Sequence, residues 1–203
     1  ETGFLNLYKN EKAFHDGQHE AMFMQKHGIP VEVYDKSKVR EVEPAVRDDV
    51  IGGVHFTGDA HLNPALFLQL LGERIRAMGA QVFENTPVMG FESADGKIKS
   101  VKTDIGEFEA EQVILAAGAW TSLVARSLRL NIPIQPARGY SLTASAIKNM
   151  PRHALILGDR RVAVSPFGDL LRVTGRLEVG EYSTIPNPRW IQRLENFARE
   201  YIQ

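Results

Sequence analysis

Hydrophobic and polar residues alternate along several short stretches of the chain, as they do in strands that bury one face. The turn pair Asp95-Gly96 separates Thr86–Phe91 from Lys97–Thr103, which predicts a β-hairpin, and Phe108–Ala110 continues it as a third strand. Further short strands are predicted at Phe4–Tyr8, Val31–Tyr34, Ile51–Phe56, Leu155–Leu157, Val162–Val164 and Leu170–Thr174. The first and the last three of these indicate a mostly antiparallel sheet.

Apolar residues recur at helical spacing in other stretches, several of which are bounded by residues that favour helix ends. The clearest predicted helix is Asn63–Met78, which Asn63 caps and Gly79 follows. Helices are also predicted at Glu11–His27, from Asp35 or Ser37 to Val42, at Trp120–Leu128 and at Pro188–Ile202.

The most informative stretch runs from Glu111 to Thr121 (EQVILAAGAWT). Its apolar part, Val113–Ala117, predicts a strand that is buried on both faces, as in a parallel sheet. The side chains become smaller toward Gly118, so a large ligand would fit against the backbone at an edge where α/β sheets bind nucleotide cofactors. The alternative is a core strand whose small residues admit a neighbouring helix.

Two neighbouring stretches extend this prediction. Ala80–Phe83 is predicted to be a strand, and its tight connection to the preceding helix is typical of half a β-α-β unit. Ile132–Ala146 is predicted to be a long, bent strand, which two prolines confine to an edge or crossing position.

The composition limits the classes of function. Apolar residues make up 43% and charged residues 24% of the 203 residues, which is ordinary for a globular protein, and the net charge of −1 gives no attraction for nucleic acid. Cysteine is absent, which excludes disulfides and thiolate chemistry, and no apolar stretch reaches the length of a membrane span. His15 and His19 are spaced to share a helix face, but no third ligand is evident, so no metal site is predicted.

Several segments, taken in their order along the chain, resemble the FAD-dependent D-amino-acid oxidase superfamily, above all its D-amino-acid dehydrogenase and glycine/sarcosine oxidase branch. The resemblance runs from about Val54 to Glu178. The segments that carry it are Leu62-Asn63-Pro64, Met78-Gly79-Ala80, Thr86-Pro87-Val88, Ala116–Thr121 and Ile132–Ser141.

Two motifs of this family do not occur in the sequence. One is the Gly-x-Gly-x-x-Gly loop that binds the cofactor pyrophosphate at a helix N-terminus, and the other is a Gly-x-Arg-Pro segment near the carboxyl end. We therefore expect the chain to be the central fragment of a longer enzyme, lacking both ends and inactive alone.

The resemblance implies an α+β (mixed α/β) fold. Residues 1–60 and 129–203 would form a substrate-binding domain with an antiparallel sheet, and residues 61–128 would form part of a FAD-binding α/β domain. Because such an interrupted domain leaves apolar edges exposed, we expect self-association or partial disorder around residues 60–128.

The resemblance also implies which residues contact FAD. These are Val88, Ala116, Ala117, Gly118 and Trp120. In the family, the backbone at the position of Val88 meets the adenine or ribose side of FAD. The alternative is that Val88 is a core strand residue.

Four residues are candidates to line a substrate cavity: Tyr8, Arg138, Tyr140 and Arg176. An arginine at an exposed turn would explain Arg138 equally well. Arg176 departs from the family, which commonly has a small or hydroxyl residue at this position. This departure leaves the identity of the substrate unassigned. No Ser/His/Asp or paired-carboxylate constellation is present, so no catalytic residue is assigned.

The implied reaction is oxidation of the C–N bond of an amino acid or amine by hydride transfer to flavin. The alternatives are a related flavoenzyme that acts on a hydroxy acid or polyol phosphate, and a non-catalytic binding or assembly module. The implied location is the cytoplasm, with the parent enzyme able to lie at the inner membrane. Substrate, electron acceptor and oligomeric state are left open.

Overall fold

A computed structural model describes residues 2–180 and 182–203. They divide into two compact units. Unit 1 comprises Glu1–Phe67, Gly139–Leu177 and Ile185–Gln203, and unit 2 comprises Leu68–Arg138 and Glu178–Thr184. Unit 2 is therefore built from segments that interrupt unit 1 along the chain. The boundaries fall after Phe67 and Arg138, compared with the predicted 60 and 128, and Glu178–Thr184 belongs to unit 2 although it was expected in the other domain.

The secondary structure alternates between strands and helices. In chain order the described elements are β1 (Thr2–Tyr8), α1 (Glu11–Lys26), β2 (Val31–Asp35), α2 (Lys36–Val42), β3 (Gly52–Ala60), α3 (Pro64–Ala77), β4 (Val88–Ala94), β5 (Lys97–Thr103), β6 (Gly106–Glu109), α4 (Thr121–Arg126), β7 (Ala137–Ser145), β8 (Ala154–Leu157), β9 (Val162–Phe167), β10 (Leu170–Val179) and α5 (Pro188–Tyr201). A short 3-10 helix, Gly118–Trp120, precedes α4.

The larger sheet has the strand order β2-β3-β1-β8-β9-β10-β7. The pairings of β1 with β3, β2 with β3, β8 with β9 and β9 with β10 are antiparallel, whereas β1 and β8 are parallel. The sheet is therefore mixed and mostly antiparallel. Together with the helices and the separate antiparallel sheet β4-β5-β6, it confirms the mixed α/β fold class.

The core of unit 1 forms where the strand pattern predicts it. Leu5 and Leu7 on β1 and Leu155 and Leu157 on β8 are fully buried, because alternate side chains of paired strands share one face of the sheet. From α5, Leu194 and Tyr201 pack into the same cluster, with 2% and 1% of their surfaces exposed.

Helix starts follow local capping rules. Asn10 caps α1 by accepting a hydrogen bond from Ala13 N at 3.0 Å, and Asp35 caps α2 by accepting one from Lys38 N at 2.8 Å. Asn63 Oδ1 likewise accepts hydrogen bonds at the start of α3. Each side chain satisfies a backbone N–H that the helix itself leaves without a partner.

Two predicted strands of unit 2 do not form within the described residues. Residues 112–117 have no regular secondary structure, and Ile114 is 88% exposed, so the prediction of a strand buried on both faces at Val113–Ala117 is wrong. Ala80–Phe83 is likewise irregular. A strand needs a neighbour to pair its backbone groups, and neither stretch pairs with a described strand.

Two other elements are shorter than predicted. The strand expected at Ile132–Ala146 begins only at Ala137, because Pro133 and Pro136 have no N–H for the sheet ladder. The helix expected at Trp120–Leu128 is regular only over Thr121–Arg126.

Helix α3 keeps its apolar residues at the surface. No residue of α3 is buried, although the sequence places a leucine-rich stripe along it. The side chains that are more than one-third exposed are Leu66, Phe67, Leu68, Leu70, Leu71 and Ile75.

Candidate cofactor site

Unit 2 contains an open apolar cavity of about 370 Å³. Its lining residues come from the hairpin, from residues 113–117 and from α4: Val88, Phe91, Val101, Val113, Ile114, Leu115, Ala117 and Val124. The structure therefore brings together two residues predicted to contact a cofactor, Val88 and Ala117. Its volume is within the range of small-molecule sites.

The remaining predicted cofactor residues follow directly along the chain. Ala116 and Gly118 are exposed, and Trp120 is 53% exposed. Gly118 has φ +53°, and no heavy atom lies within 4 Å of the position that a Cβ would occupy there. The backbone at residues 116–118 is therefore open to a ligand, and the left-handed conformation favours glycine at 118.

Sequence reasoning missed most of the cavity wall. Phe91 and Val101 are directly paired across the hairpin, so they lie side by side on one face of the small sheet. Strand alternation alone would place Phe91 on the face opposite Val88, and the register shift between Val88 and Gly90 that changes this has no local signal in the sequence.

Arg138 lies in a polar cluster of unit 2. Its Nε and Nη2 donate to Glu178 Oε2 at 3.0 Å and 2.9 Å, and its Nη1 donates to the carbonyl oxygen of Ser183 at 3.1 Å. Both side chains of the ion pair are about one-quarter exposed. Such a charge-assisted pair holds the guanidinium in one orientation. In the sequence, Glu178 stands out only as the end of the stretch that resembles the family.

The other three candidate substrate residues lie in unit 1. Tyr8 is 6% exposed and packs against Phe14, with ring centroids 5.7 Å apart, and burial raises the pKa of its phenol. Tyr140 is 4% exposed and belongs to the other core cluster. Arg176 is exposed, with its guanidinium 4.2 Å from the ring centroid of Trp190.

The structure thus does not place these residues in one cavity. Tyr8 and Tyr140 belong to separate core clusters, and Arg138 belongs to unit 2. The burial of the two tyrosines indicates packing roles, whereas Arg138 pairs with Glu178 and Arg176 lies over the ring of Trp190. A shared role in substrate binding stays a prediction.

Among residues 2–180 and 182–203, no three His, Cys, Asp or Glu side chains are grouped as a metal site would require. The predicted pair on α1, His15 and His19, lies with ring centroids 4.2 Å apart on an exposed face. No helix in these two described ranges is both long enough and apolar enough to cross a membrane.

A family comparison identifies the relatives of this chain. The model of the FAD dependent oxidoreductase family (DAO) matches residues 1–203. The chain belongs to this family. It is 29% identical over 189 residues to a D-amino acid dehydrogenase of Rhodopseudomonas palustris, covering 89% of this chain and 44% of that protein. The chain thus spans less than half the length of this curated relative.

The family fold is also seen in solved structures. Glycine oxidase from Geobacillus kaustophilus superposes with a TM-score of 0.88 at 20% identity, over 100% of this chain and 54% of that chain. L-alpha-glycerophosphate oxidase from Mycoplasma pneumoniae, whose structure has FAD bound, superposes with a TM-score of 0.77 at 17% identity, over 100% of this chain and 59% of that one. At these identities the likeness establishes the fold.

The residues of this chain fit one part of FAD, the cofactor of its family. The apolar cavity suits a flat, apolar ring, and the open backbone beside Gly118 admits a ligand at close range. A pyrophosphate needs the backbone N–H groups of a glycine-rich loop, and the sequence has no Gly-x-Gly-x-x-Gly. The fit therefore covers an apolar portion of FAD alone.

Proposed function

We propose that this chain is part of an enzyme that oxidises the C–N bond of an amino acid or amine, with a hydride passing to FAD. The observation that supports this most is the apolar cavity, which gathers Val88 and Ala117 in a chain of the FAD dependent oxidoreductase family. The D-amino acid dehydrogenase relatives support an amino acid as the substrate class.

The roles of individual residues follow from their positions. When bound, FAD would supply the hydride acceptor, and the protein would supply position and a dry site. The aliphatic side chains of the cavity would exclude water, and Ala116, Ala117 and Gly118 would allow close approach to the backbone. Trp120, half exposed beside them, would cover the cofactor from one side.

We further propose that unit 1 holds the substrate and unit 2 part of the cofactor. Arg176 is the better candidate of unit 1 to meet a substrate carboxylate, because a guanidinium pairs with a carboxylate through two hydrogen bonds. The proposed location is the cytoplasm, with contact to the inner membrane in the parent enzyme.

Self-association through the apolar surface of α3 is part of this proposal. Its exposed leucines and Phe67 would remain in water in a single copy of the chain, and burial of apolar area favours association by about 25 cal/mol per Å². Light scattering across a concentration series tests this. Leu68→Glu, at a side chain that is 65% exposed, is expected to lower the mass of an associated form, and an unchanged mass would contradict it.

A related flavoenzyme that oxidises a hydroxy acid or polyol phosphate is the second candidate. The fold likeness to the glycerophosphate oxidase favours keeping it, because the same fold serves that substrate. A non-catalytic binding or assembly module is the third, and the missing glycine loop favours it for the chain taken alone.

A FAD titration separates the binding hypotheses. Flavin fluorescence is measured with this chain, and with a longer form that carries the flanking segments of the R. palustris relative. Ala117→Phe, which fills the cavity, is expected to weaken FAD association at least tenfold, or ~1.4 kcal/mol. Ala110→Phe, at an exposed position of unit 2 outside the cavity, serves as the matched control.

The outcomes are distinct. The proposed site is supported if the longer form binds FAD and if Ala117→Phe weakens this binding while Ala110→Phe does not. Equal binding by both variants would refute the site, and no binding by either form would leave the non-catalytic module. Anaerobic reduction of the bound flavin by D-amino acids, amines, hydroxy acids or polyol phosphates then distinguishes the first two candidates.

A further inference from the structure

Five polar side chains of unit 1, from separate segments, form a chain of contacts that the proposed flavin chemistry does not use. Glu32 and Tyr34 lie on β2, His55 lies on β3, Glu43 follows α2, and His153 precedes β8. We call this set the histidine cluster. All five side chains belong to unit 1, and none of them is among the residues proposed to contact FAD.

Hydrogen bonds link the cluster at both ends. The Tyr34 hydroxyl donates to Glu32 Oε2 at 2.9 Å and lies 2.9 Å from His55 Nδ1. At the other end, His153 Nδ1 lies 3.1 Å from Glu43 Oε2. Glu43 is fully buried, and the same oxygen accepts the backbone N–H groups of Arg152 and His153.

The two imidazoles join these halves. Their ring centroids are 5.3 Å apart, and the ring planes are nearly perpendicular. A positive charge on either ring therefore opposes a positive charge on the other at short range. The cluster thus couples β2, β3, the segment after α2 and the start of β8 through a contact between two titratable rings.

The hydrogen bonds determine where the proton of neutral His55 lies. A phenol has one proton, and Tyr34 gives it to Glu32, so the Tyr34 oxygen must accept from His55 Nδ1–H. The lone pair of His55 is then on Nε2, which is buried without a hydrogen-bond partner among the described residues. A proton added there would be a buried donor with no described acceptor.

The backbone closes the space around Nε2. A Cβ at Gly3 would lie 2.4 Å from this atom, so β1 leaves no room for a side chain on that side. Around the cluster, the carboxylates that act on Tyr34 and His55 come from β2 (Glu32) and α2 (Glu41), whereas Glu43 contacts His153, whose charge also acts on His55.

We propose that the histidine cluster is an acid-sensitive latch: neutral His55 on β3 keeps its contact with His153 at the start of β8, across the intervening strand β1, and a proton taken up at His55 Nε2 releases this contact. The result would be a unit 1 that is locked at neutral pH and loosens in acid. Residues 150–153 and the segment after α2 would separate from β3 first.

The direction of the pH dependence follows from the protonation states. Burial, and then the charge of His153, lowers the pKa of His55 below its ordinary value of 6.5, against a smaller opposing effect of Glu32. The unfolded chain therefore binds this proton more readily than the folded chain. The stabilisation is present above pH 6.5 and is lost as the pH falls below it.

Urea unfolding at a series of pH values tests the latch. Trp190 reports on unit 1, and Trp120→Phe removes the other tryptophan, which lies in unit 2. One proton makes the unfolding equilibrium constant rise by at most about tenfold per pH unit below 6.5. His55→Gln is expected to remove up to this factor, and His19→Gln, at an exposed histidine on α1, is expected to leave the slope unchanged.

A ¹⁵N NMR pH titration of the histidine side chains in the chain without substitutions gives a second test. His55 is expected to show the Nδ1–H tautomer at neutral pH and to take up its proton only at a pH below 6.5. Protonation of His55 at or above 6.5, the opposite tautomer, or an unchanged pH slope in His55→Gln would each overturn the proposal. If His55→Gln fails to fold, the NMR titration alone decides.

Discussion

Replacing glycine by alanine in the middle of two helices is expected to have opposite effects in this chain. The two positions are Gly17 in α1 and Gly72 in α3. In both helices, alanine gains about 0.5–1 kcal/mol because it loses less backbone entropy than glycine. The surroundings of the new methyl group then determine the sign.

At Gly17 the methyl group has no space. A Cβ there would lie 2.4 Å from Tyr8 Oη and 2.7 Å from Tyr8 Cζ. The tyrosine ring cannot move away freely, since a Cβ built at Gly158 would lie only 2.6 Å from its Cε1 on another side. Overpacking of this kind costs about 1–3 kcal/mol, so Gly17→Ala is expected to destabilise unit 1 by up to ~2 kcal/mol.

At Gly72 the nearest atom to the new methyl group is Arg76 Nη1 at 3.4 Å, the end of a flexible side chain. Gly72→Ala is therefore expected to stabilise unit 2 by about 0.5–1 kcal/mol. Urea unfolding measured through Trp190 for unit 1 and Trp120 for unit 2 compares the two variants.

The contact with Tyr8 is tested by a double-mutant cycle. Tyr8→Phe removes the closest atom, so the cost of Gly17→Ala should be smaller in this background, with a coupling of about 0.5 kcal/mol or more. Stabilisation by Gly17→Ala equal to that by Gly72→Ala, with no coupling to Tyr8, would refute the packing argument.

Three further outcomes are expected. Asn10→Ala removes the cap that accepts from Ala13 N and should lower the stability of unit 1 by ~1 kcal/mol in urea unfolding; no change would mean that the cap is replaced by water. Leu157→Ala, at a fully buried side chain, should cost about 2–5 kcal/mol by the same measurement, and a cost below that of Asn10→Ala would contradict the assigned core. Burial, and then the hydrogen bond to Glu32, raises the pKa of Tyr34 from 10.0 to about 12, so the stabilisation that neutral Tyr34 gives the folded chain should be lost as the pH rises between these values. Tyr34→Phe should make the loss of stability at alkaline pH less steep. A phenolate absorbance of Tyr34 that appears near pH 10.0 in the folded chain would contradict this expectation.

Local chemistry made much of the fold predictable. The caps at Asn10 and Asp35 and the turn at Asp95-Gly96 act within a few residues, so the elements that they bound can be found from the sequence. The prolines at 133 and 136 act locally as well, and they explain why β7 starts late.

The remaining features depend on residues that are distant in sequence. The apolar pattern of Val113–Ala117 shows which surroundings these side chains favour, but a strand forms only beside a partner. The packing of Tyr8 depends on Gly158 as well as on Gly17, and the ion pair of Arg138 is made with a residue 40 positions along the chain. No local rule gives the identity of such partners.

The candidate site could likewise be predicted only in part. Val88 and Ala117 could be placed together through the family resemblance, because it supplied the order of segments around the cavity. The hairpin residues opposite them, Phe91 and Val101, could not be assigned to the cavity without knowing which face of the small sheet lines it. The four substrate candidates were chosen without that information, and the structure distributes them over two units.

The parallel pairing of β1 with β8 has a consequence for synthesis of the chain. Lys9 and Asp159, which close the junction between these strands, are 150 residues apart. A ribosome that adds about 5–20 residues per second needs roughly 8–30 s to make the intervening segment. During this time β3 can already cover one side of β1, while the other side remains an open edge with no charged residue to discourage pairing with a second nascent chain. Unit 1 thus depends on its last third for protection, and slow translation or a stalled ribosome would expose this edge for longer.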